Sequence, residues 1–323
     1  MPGHFPSPRS ARVDCVCAEH LVTDDSHGPT RPPPHPKRLA FMGTPGVAVP
    51  VLQALVAAGF EIALVVSRPD RRRGRGGELS PSPVKAAATE LGLPVTDDLD
   101  SVLDADVDLA VVVAYGRIIP MRILEHVPMV NLHFSLLPRW RGAAPVERAL
   151  LAGDAVTGVC LMEVAEGLDT GAVYSTRETT IESSDTLQTL RSRLVEIGAG
   201  MVVDALTEGL PAPLPQAGET VHAAKIDPSE LEINWSAEAV AIDRLVRLGG
   251  AWTRFRGARL KVWSVRLAGD TGSGSPGELD GSLVATGDGQ LELIEVQPEG
   301  RSRQSADAWR NGSRPIPNEQ LGQ

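Results

Sequence analysis

The chain has 323 residues, of which 42% are hydrophobic and 22% charged, and its formal net charge at pH 7 is −10. That length exceeds what one hydrophobic core usually supports, so two domains are expected, and the composition is that of an ordinary globular protein. The acidic balance argues against indiscriminate nucleic-acid binding, and no apolar run reaches the roughly 18 residues that a membrane span needs.

Residues 1–36 are rich in Pro and His and lack apolar periodicity, so they are predicted to be a disordered tail or an upstream extension. They have neither the apolar core of a signal peptide nor the acid-poor composition of a transit peptide. Cys15, Cys17 and Cys160 form no disulfide framework, and a lone C-x-C argues against zinc. A reducing, cytoplasmic location is therefore expected.

Strands and helices alternate between residues 37 and 208. Strands are expected at Leu39–Met42, Ile62–Ser67, Leu109–Ala114 and Met129–His133. Helices are expected after Gly43-Thr-Pro-Gly46, from Pro83 with Ser82 as its cap, and from about Thr186 to Glu208 with Ser184 or Asp185 as its cap. The alternation predicts a doubly wound α/β domain with a parallel-type sheet.

The pattern changes after residue 208. Residues 209–224 are rich in Pro and Gly and are predicted to be a linker. One helix is then expected from about Ala237 to Leu248, followed by short strands at 259–265, 277–283 and 291–296. Short strands separated by glycine predict that residues 225–323 form a small β-barrel domain.

Gly43-Thr-Pro-Gly46 lies where a dinucleotide-binding domain would carry its glycine motif. The spacing is not G-x-G-x-x-G, and Pro45 lacks the backbone N–H that a phosphate needs. We therefore interpret this segment as a tight strand-to-helix turn, which weakens an oxidoreductase hypothesis.

Asn131 and His133 are two residues apart in a predicted strand, so their side chains lie on one face at the edge where open α/β sheets bind ligands. Asp169 lies in a second polar cluster, Glu166-Gly-Leu-Asp-Thr-Gly171. Each alone is more often a structural residue, but together they could form a proton-transfer and oxyanion site. Trp140 and Arg141 are interpreted as a partly exposed aromatic residue and a solvated charge.

Five arginines stand against one acid, Asp70, in a glycine-rich segment: Arg68, Arg71, Arg72, Arg73 and Arg75. Such a loop is either a solvated surface or a local positive patch that binds a polyanionic substrate. The residues alone leave both interpretations open.

Several motifs resemble the 10-formyltetrahydrofolate-dependent formyltransferase family. They are Phe-Met-Gly-Thr-Pro (41–45), Val-Ala-Tyr-Gly (113–116), the stretch 131–154 and Gly-Leu-Asp-Thr-Gly (167–171). Three further segments resemble the branch of that family that acts on charged tRNA. They are Ser-Leu-Leu-Pro-Arg-Trp-Arg-Gly-Ala-Ala-Pro (135–145), the arginine insertion leading to Pro-Ser-Pro-Val-Lys (81–85) and Ile-Asn-Trp-Ser (233–236). The resemblance covers about residues 38–314.

The resemblance implies a Rossmann-like formyltransferase domain followed by an OB-like β-barrel that contacts tRNA. It implies formyl transfer from 10-formyltetrahydrofolate to the amino group of methionine on charged initiator tRNA, for translation initiation, by a monomer without metal. Asn131, His133 and Asp169 would be catalytic. The implied folate contacts are Ser135, Leu136, Leu137 and Pro138, and the implied tRNA contacts are Arg71, Arg72, Arg73 and Arg75.

The chemistry suits these residues. An amine attacks a formyl carbon, so an oxyanion forms that the Asn131 amide or a protonated His133 can stabilise, while His133 takes the proton and Asp169 orients it. One departure is Arg247-Leu-Gly-Gly-Ala-Trp252, which lacks the family's proline-containing elbow. The alternatives are a formyltransferase for an amino sugar or another small amine, the hydrolase of formyltetrahydrofolate dehydrogenase, and a nucleic-acid-binding protein with an inactive α/β domain.

Overall fold

The computed structural model describes residues 30–73, 77–269 and 274–323. Arg75, Cys15 and Cys17 lie outside the described residues, and for Arg73 only the backbone is described. Within the described ranges, no helix is long and apolar enough to cross a membrane.

Residues 30–36 are held against the first domain, which corrects the prediction that they belong to a disordered tail. The Thr30 N–H donates to the carbonyl of Leu124 at 3.0 Å, and its hydroxyl donates to the carbonyl of Glu125 at 2.6 Å. The carbonyl of Pro34 accepts from the N–H of Leu210 at 2.9 Å, and Pro36 is buried. Prolines suppressed the apolar periodicity here, but their carbonyls and rings still pack on a neighbouring surface.

The first domain alternates strands with helices, as predicted. Its strands are β1 (Arg38–Gly43), β2 (Glu61–Val66), β3 (Arg71–Arg73), β4 (Glu78–Ser80), β5 (Val95–Thr96), β6 (Leu109–Val113), β7 (Met129–His133), β8 (Arg139–Gly142), β9 (Val156–Glu163) and β10 (Val173–Thr180). Its helices are α1 (Val49–Ala57), α2 (Pro83–Glu90), α3 (Met121–Leu124), α4 (Pro145–Ala152) and α5 (Leu187–Glu208).

The main sheet has the order β10-β9-β7-β6-β1-β2-β5. Strands β5, β2, β1, β6 and β7 are parallel, whereas β9 runs antiparallel to β7 and β10 antiparallel to β9. The α/β fold is therefore confirmed, with an antiparallel pair added at one edge. All five residues of β6 are buried, as expected of a strand covered by helices on both faces.

Helix α5 closes the domain, but its cap is Thr186 rather than Ser184 or Asp185. The Thr186 hydroxyl accepts from the N–H of Thr189 at 3.2 Å, and the Thr189 hydroxyl accepts from the N–H of Thr186 at 2.9 Å. The carboxylate of Asp185 is engaged by Arg193 and by the N–H of Glu182 instead. Asp185 thus pairs with the Arg193 guanidinium, and the Thr186 hydroxyl caps the helix.

Gly43 fits the interpretation of a packing turn. A Cβ at this position would lie 2.9 Å from the Cβ of Ala48 and 3.1 Å from the carbonyl oxygen of Val113. Only a glycine lets the end of β1 approach β6 and the following helical turn this closely.

The segment 209–224 forms more structure than a linker composition predicts. Leu214 exchanges two backbone hydrogen bonds with Val173, at 2.8 and 2.9 Å. Further on, β11 (Val221–Ala223) pairs in parallel with β8. The segment therefore runs along the first domain, next to β8 and the start of β10.

The second domain is an antiparallel sheet with two helices. Its elements are α6 (Ala239–Leu248), β12 (Trp252–Phe255), β13 (Ala258–Leu267), β14 (Leu279–Asp280), β15 (Leu283–Ala285), β16 (Gln290–Pro298), β17 (Gln304–Ser305) and α7 (Ala306–Ser313). The strand order is β12-β13-β16-β15-β14, with β17 also on β16. The strand predicted at 277–283 is a hairpin instead, because Gly281, at φ 64°, reverses the chain between β14 and β15.

Polar contacts join the two domains. The Arg148 guanidinium donates to the Glu230 carboxylate at 2.7 Å and to the carbonyl of Ala224 at 2.9 Å. Arg247, on α6 of the second domain, donates to the carbonyl of Asp185 in the first domain at 2.9 Å. Helices α4 and α6 also pack against each other.

Asp185→Asn is expected to lower the free energy of unfolding at pH 7 by about 2 kcal/mol, because an amide loses the charge-assisted hydrogen bonds. Burial raises the pKa of the Asp185 carboxyl, but hydrogen bonds from Arg193, Glu182 and Thr189 outweigh it and hold that pKa below its usual value. A lowered folded-state pKa stabilises the protein above the unfolded pKa of about 3.9, and this stability is lost as the pH falls through the folded pKa.

Thermal unfolding should therefore separate Asp185→Asn from the wild type at pH 7, with the two Tm values converging as the pH drops below about 4. Asp204→Asn, at an exposed position of α5, is the control. A Tm difference that stays constant with pH would contradict this account of Asp185.

Candidate active site

A cavity of about 620 Å³ opens where β6 and β7 end. The segment after β6 (114–119) and the loop after β9 (164–169) form two of its walls, and the end of β7 forms its base. Asn131, His133 and Asp169 all line this cavity. The three residues that were predicted to act together therefore meet in this cavity, although up to 38 positions separate them in the chain.

His133 is held in one orientation by a backbone carbonyl. Its ring is buried, and Nε2 lies 2.9 Å from the carbonyl oxygen of Trp140. A carbonyl can only accept, so Nε2 carries a hydrogen and Nδ1 is the nitrogen that can take a proton. Nδ1 faces the carboxylate of Asp169, with 3.6 Å between Nδ1 and Oδ2.

Asp154 fixes the loop that presents this carbonyl. Its carboxylate accepts from the Trp140 indole at 2.7 Å and from two guanidinium nitrogens of Arg139 at 2.7 and 2.9 Å. Burial raises the pKa of Asp154, but these hydrogen bonds outweigh it and hold that pKa below its usual range. Trp140, in the left-handed region at φ 66°, is thus an anchored residue rather than simply a partly exposed aromatic.

Asp169 has an unusual backbone and a defined carboxylate partner. Its φ is 52°, a left-handed conformation that Asp tolerates better than most residues. Oδ2 accepts from the N–H of Gly142 at 2.8 Å, and the side chain is 11% exposed. The carboxylate therefore lies between a backbone donor and the imidazole, with its charge next to Nδ1 of His133.

Asn131 projects from the same face of β7 as His133, as its spacing predicts. Its side chain is half-buried, and its amide makes no hydrogen bond to any residue within the described ranges. An amide that lines a cavity without an internal partner can donate to a bound oxygen.

Two exposed apolar side chains flank the cavity. Ile118 is 83% exposed and Leu168 is 63% exposed, and both line it. In the described structure, none of the backbone N–H groups of residues 115–119 and 165–169 donates to another backbone carbonyl. The walls thus offer apolar surface together with backbone donors, which suits a flat heterocycle that carries polar edges.

The loop Ser135-Leu136-Leu137-Pro138 is not among the residues that line this cavity. The Ser135 hydroxyl is buried and donates to the carbonyl of Arg139 at 2.7 Å, and Leu136 lines a separate cavity of about 250 Å³ beside Trp140. Ser135 does lie next to His133, since its hydroxyl is 3.4 Å from the Trp140 carbonyl oxygen that His133 also contacts. Folate contacts at Ser135, Leu136, Leu137 and Pro138 stay a prediction.

The arginine loop leaves the sheet at the end of β2. Strands β3 and β4 form a hairpin, and the Arg71 and Arg72 side chains are exposed on it. At its base, a guanidinium nitrogen of Arg68 lies 3.8 Å from the position of a Cβ on Gly116, which is part of the cavity wall. Asp70, which lies between Arg68 and Arg71, is paired with Lys85 at 2.7 Å.

Comparison with known proteins gives the relationship. The chain matches the family described as Formyl transferase over residues 37–206 and the one described as Formyl transferase, C-terminal domain over residues 225–314. It is 48% identical over 299 residues to a protein of Jannaschia sp. (strain CCS1) named methionyl-tRNA formyltransferase, a match that covers 87% of this chain and 98% of that protein. A protein of the same name from Streptomyces coelicolor is 41% identical over 309 residues, covering 88% and 99% of the two chains.

Solved structures share the fold. An N-formyltransferase from Helicobacter canadensis, solved with folinic acid and dTDP-3-aminofucose, has a TM-score of 0.62 at 16% identity and covers 80% of this chain and 98% of its own. The methionyl-tRNA formyltransferase from Clostridium thermocellum has a TM-score of 0.55 at 16% identity, covering 81% and 97%. Such low identities support the fold alone. On its sequence matches, the chain belongs to the formyl transferase family and, within it, to the methionyl-tRNA formyltransferases.

Proposed function

We propose that the chain transfers the formyl group of 10-formyltetrahydrofolate to the amino group of methionine on charged initiator tRNA, with the reaction in the 620 Å³ cavity. The observation that carries the proposal is the convergence of Asn131, His133 and Asp169 on that cavity in a chain 48% identical to a methionyl-tRNA formyltransferase. Residues 37–208 would form the catalytic domain and residues 225–323 a tRNA-contacting domain, joined by residues 209–224.

The lining of the cavity supports folate binding there. Ile118 and Leu168 offer apolar contacts for the two faces of a pterin ring, and the N–H groups of the wall segments offer donors to its edge. Bound there, the folate supplies the formyl group on one of its nitrogens. The polar side chains at the base of the cavity would then meet the reacting carbon.

His133 moves the proton. As the methionine nitrogen bonds to the formyl carbon, Nδ1 of His133 accepts a proton from that nitrogen, while the Nε2 hydrogen stays on the carbonyl of Trp140. Asp169, 3.6 Å away, stabilises the resulting imidazolium. When the bond from the formyl carbon to the folate nitrogen breaks, His133 returns the proton to the leaving nitrogen, so the imidazole ends neutral.

Asn131 stabilises charge. Its side-chain N–H can donate to the formyl oxygen as that oxygen becomes negative, and one such donor contributes about 3 kcal/mol to transition-state stability. Holding the two substrates side by side supplies much of the remaining acceleration.

We propose that the arginine loop holds RNA beside the cavity. Arg71→Ala combined with Arg72→Ala should raise KM for charged tRNA by about tenfold and flatten its salt dependence, since fewer phosphate contacts release fewer counterions. KM for 10-formyltetrahydrofolate should not change. Arg177→Ala, at an exposed position of β10, is the control. An unchanged KM and salt slope in the double variant would make the loop a solvated surface.

The proposed acceptor is tested by competition. Labelled 10-formyltetrahydrofolate is offered together with methionyl initiator tRNA and an amino-sugar nucleotide, and the products are separated. We expect the label on the methionine amino group. Label on the amino sugar, with unmodified methionyl-tRNA, would overturn the proposed function.

A further inference from the structure

Gln216, in the segment between the two domains, makes hydrogen bonds with both ends of its side-chain amide. Nε2 donates to the carbonyl oxygens of Asp169 at 2.9 Å and of Gly171 at 2.8 Å. Oε1 accepts from Nε and from a terminal nitrogen of Arg141, at 3.0 and 2.6 Å. Arg141 is therefore engaged inside the protein rather than solvated, and no step of the reaction described above uses either residue.

The chemistry of the partners leaves the Gln216 amide one orientation. Arg141 can only donate, so the amide oxygen must face it, and the two carbonyls can only accept, so the amide nitrogen must face them. Both hydrogens of Nε2 and the oxygen are thus used. Such a fully satisfied, half-buried polar network rigidifies the backbone it bridges.

The bridged backbone is that of the catalytic loop. Asp169 holds a left-handed φ of 52°, and Gln216 binds its carbonyl and that of Gly171 two residues on. Arg141 directly precedes Gly142, whose N–H donates to the Asp169 carboxylate. Gln216 thus binds the backbone of Asp169 and also Arg141, the residue next to Gly142, whose N–H orients the Asp169 carboxylate.

Further contacts pin the same segment. Leu214 exchanges two backbone hydrogen bonds with Val173, and the carbonyl of Ala223 accepts from Ala143 and Ala144. Gln216 itself does not line the cavity. Its effect on the reaction must therefore pass through the residues that it binds.

We propose that Gln216, oriented by Arg141, is a positioning residue that holds the carboxylate of Asp169 against Nδ1 of His133, so that the interdomain segment is part of the catalytic apparatus. This inference rests on the proposed function for the roles of Asp169 and His133. A misplacement of about 1 Å in a catalytic group can cost on the order of 100-fold in rate, so a brace of this kind affects turnover directly.

The test compares Gln216→Met, which keeps the length of the side chain without its polar atoms, and Gln216→Glu, which turns a carboxylate oxygen towards two carbonyls. We expect kcat to fall by about tenfold or more in both, with KM for each substrate changed by less than about threefold. The acidic limb of the pH–kcat profile should move in the same direction as in Asp169→Asn. Gln53→Ala, an exposed glutamine on α1, is the matched control and should behave as the wild type.

A double variant separates a positioning role from a merely structural one. If Gln216 acts by positioning Asp169, combining Gln216→Met with Asp169→Asn should lower kcat little beyond Asp169→Asn alone, because both changes remove the same interaction. A lowered Tm with normal kcat and an unchanged pH profile would make Gln216 a brace only, and full additivity with Asp169→Asn would place its effect elsewhere. Arg141→Lys, which leaves Gln216 present but removes the forked donor, should reproduce the kcat loss and serves if the Gln216 variants do not fold.

Failure of the proposed function can be distinguished from failure of the Gln216 inference. The proposed function fails if the wild type does not formylate methionyl-tRNA. If the wild type formylates another amine instead, the same kcat comparison on that amine still tests Gln216.

Discussion

Replacing His133 by alanine should lower kcat for formyl transfer by about 100-fold or more, with little change in folate affinity. The imidazole is the group that can take the proton lost by the amine, and Nδ1 is the nitrogen left for this because Nε2 donates to the carbonyl of Trp140. Alanine keeps the backbone pairing of β7 with β6 and β9, because that pairing is made by main-chain groups.

The measurement is steady-state formylation of methionyl-tRNA at saturating substrates, with folate binding measured by titration. His126→Ala, an exposed histidine beyond α3, is the matched control and should keep full activity. A His133→Ala protein with near-normal kcat would remove His133 from the mechanism.

Asp169→Asn should also cause a large loss of kcat, on the order of 100-fold, although the amide has the shape of the carboxylate. The carboxylate charge stabilises the imidazolium that forms 3.6 Å away during transfer, and the amide lacks that charge. The acidic limb of the pH–kcat profile should also shift, because a charge beside the group that transfers the proton has been removed.

The pH profile separates this role from a structural one. Asp100→Asn, an exposed carboxylate paired with Arg122, is the control and should leave both the maximum and the limb in place. Full activity of Asp169→Asn with an unchanged profile would make Asp169 a loop residue held for its left-handed backbone alone.

The sequence was sufficient to predict the α/β domain, because its strands are short apolar runs whose hydrophobic content does not depend on tertiary context. Leu109–Ala114 is an example, with five buried residues in β6. Asn131 and His133 were predictable for a similar local reason, since a period of two in a strand fixes a shared face. Their meeting with Asp169 followed from the resemblance and from the edge at which parallel strands end.

Other features depended on contacts that no local pattern reports. Residues 30–36 pack through isolated backbone hydrogen bonds, which prolines permit and periodicity does not reveal. Gln216 lies 47 residues from Asp169, so its bond to that carbonyl has no short-range signal. Asp154 ends the stretch 131–154, and its carboxylate accepts hydrogen bonds from Arg139 and Trp140 of the same stretch. The sequence pattern did not predict these hydrogen bonds.

The second domain shows the same division. Short strands and glycines predicted a β domain, which the antiparallel sheet confirms. The single strand predicted at 277–283 failed because Gly281 adopts a positive φ that turns the chain back, and a glycine's conformation is set by the pairing around it.

We place formyl transfer to methionyl-tRNA in the cavity at the end of β7. The most direct test of this location is the single-turnover rate of label transfer to methionyl-tRNA by the wild type and by Asn131→Ala. The reaction is started by mixing enzyme that holds methionyl-tRNA with a saturating amount of labelled 10-formyltetrahydrofolate. Asn131 lines the cavity with no internal partner in the described ranges, so alanine removes a donor to the formyl oxygen and little else. Transfer by Asn131→Ala should be slower by about 100-fold or more, while each substrate still binds. Transfer by Asn131→Ala at the wild-type rate would contradict a reaction in this cavity.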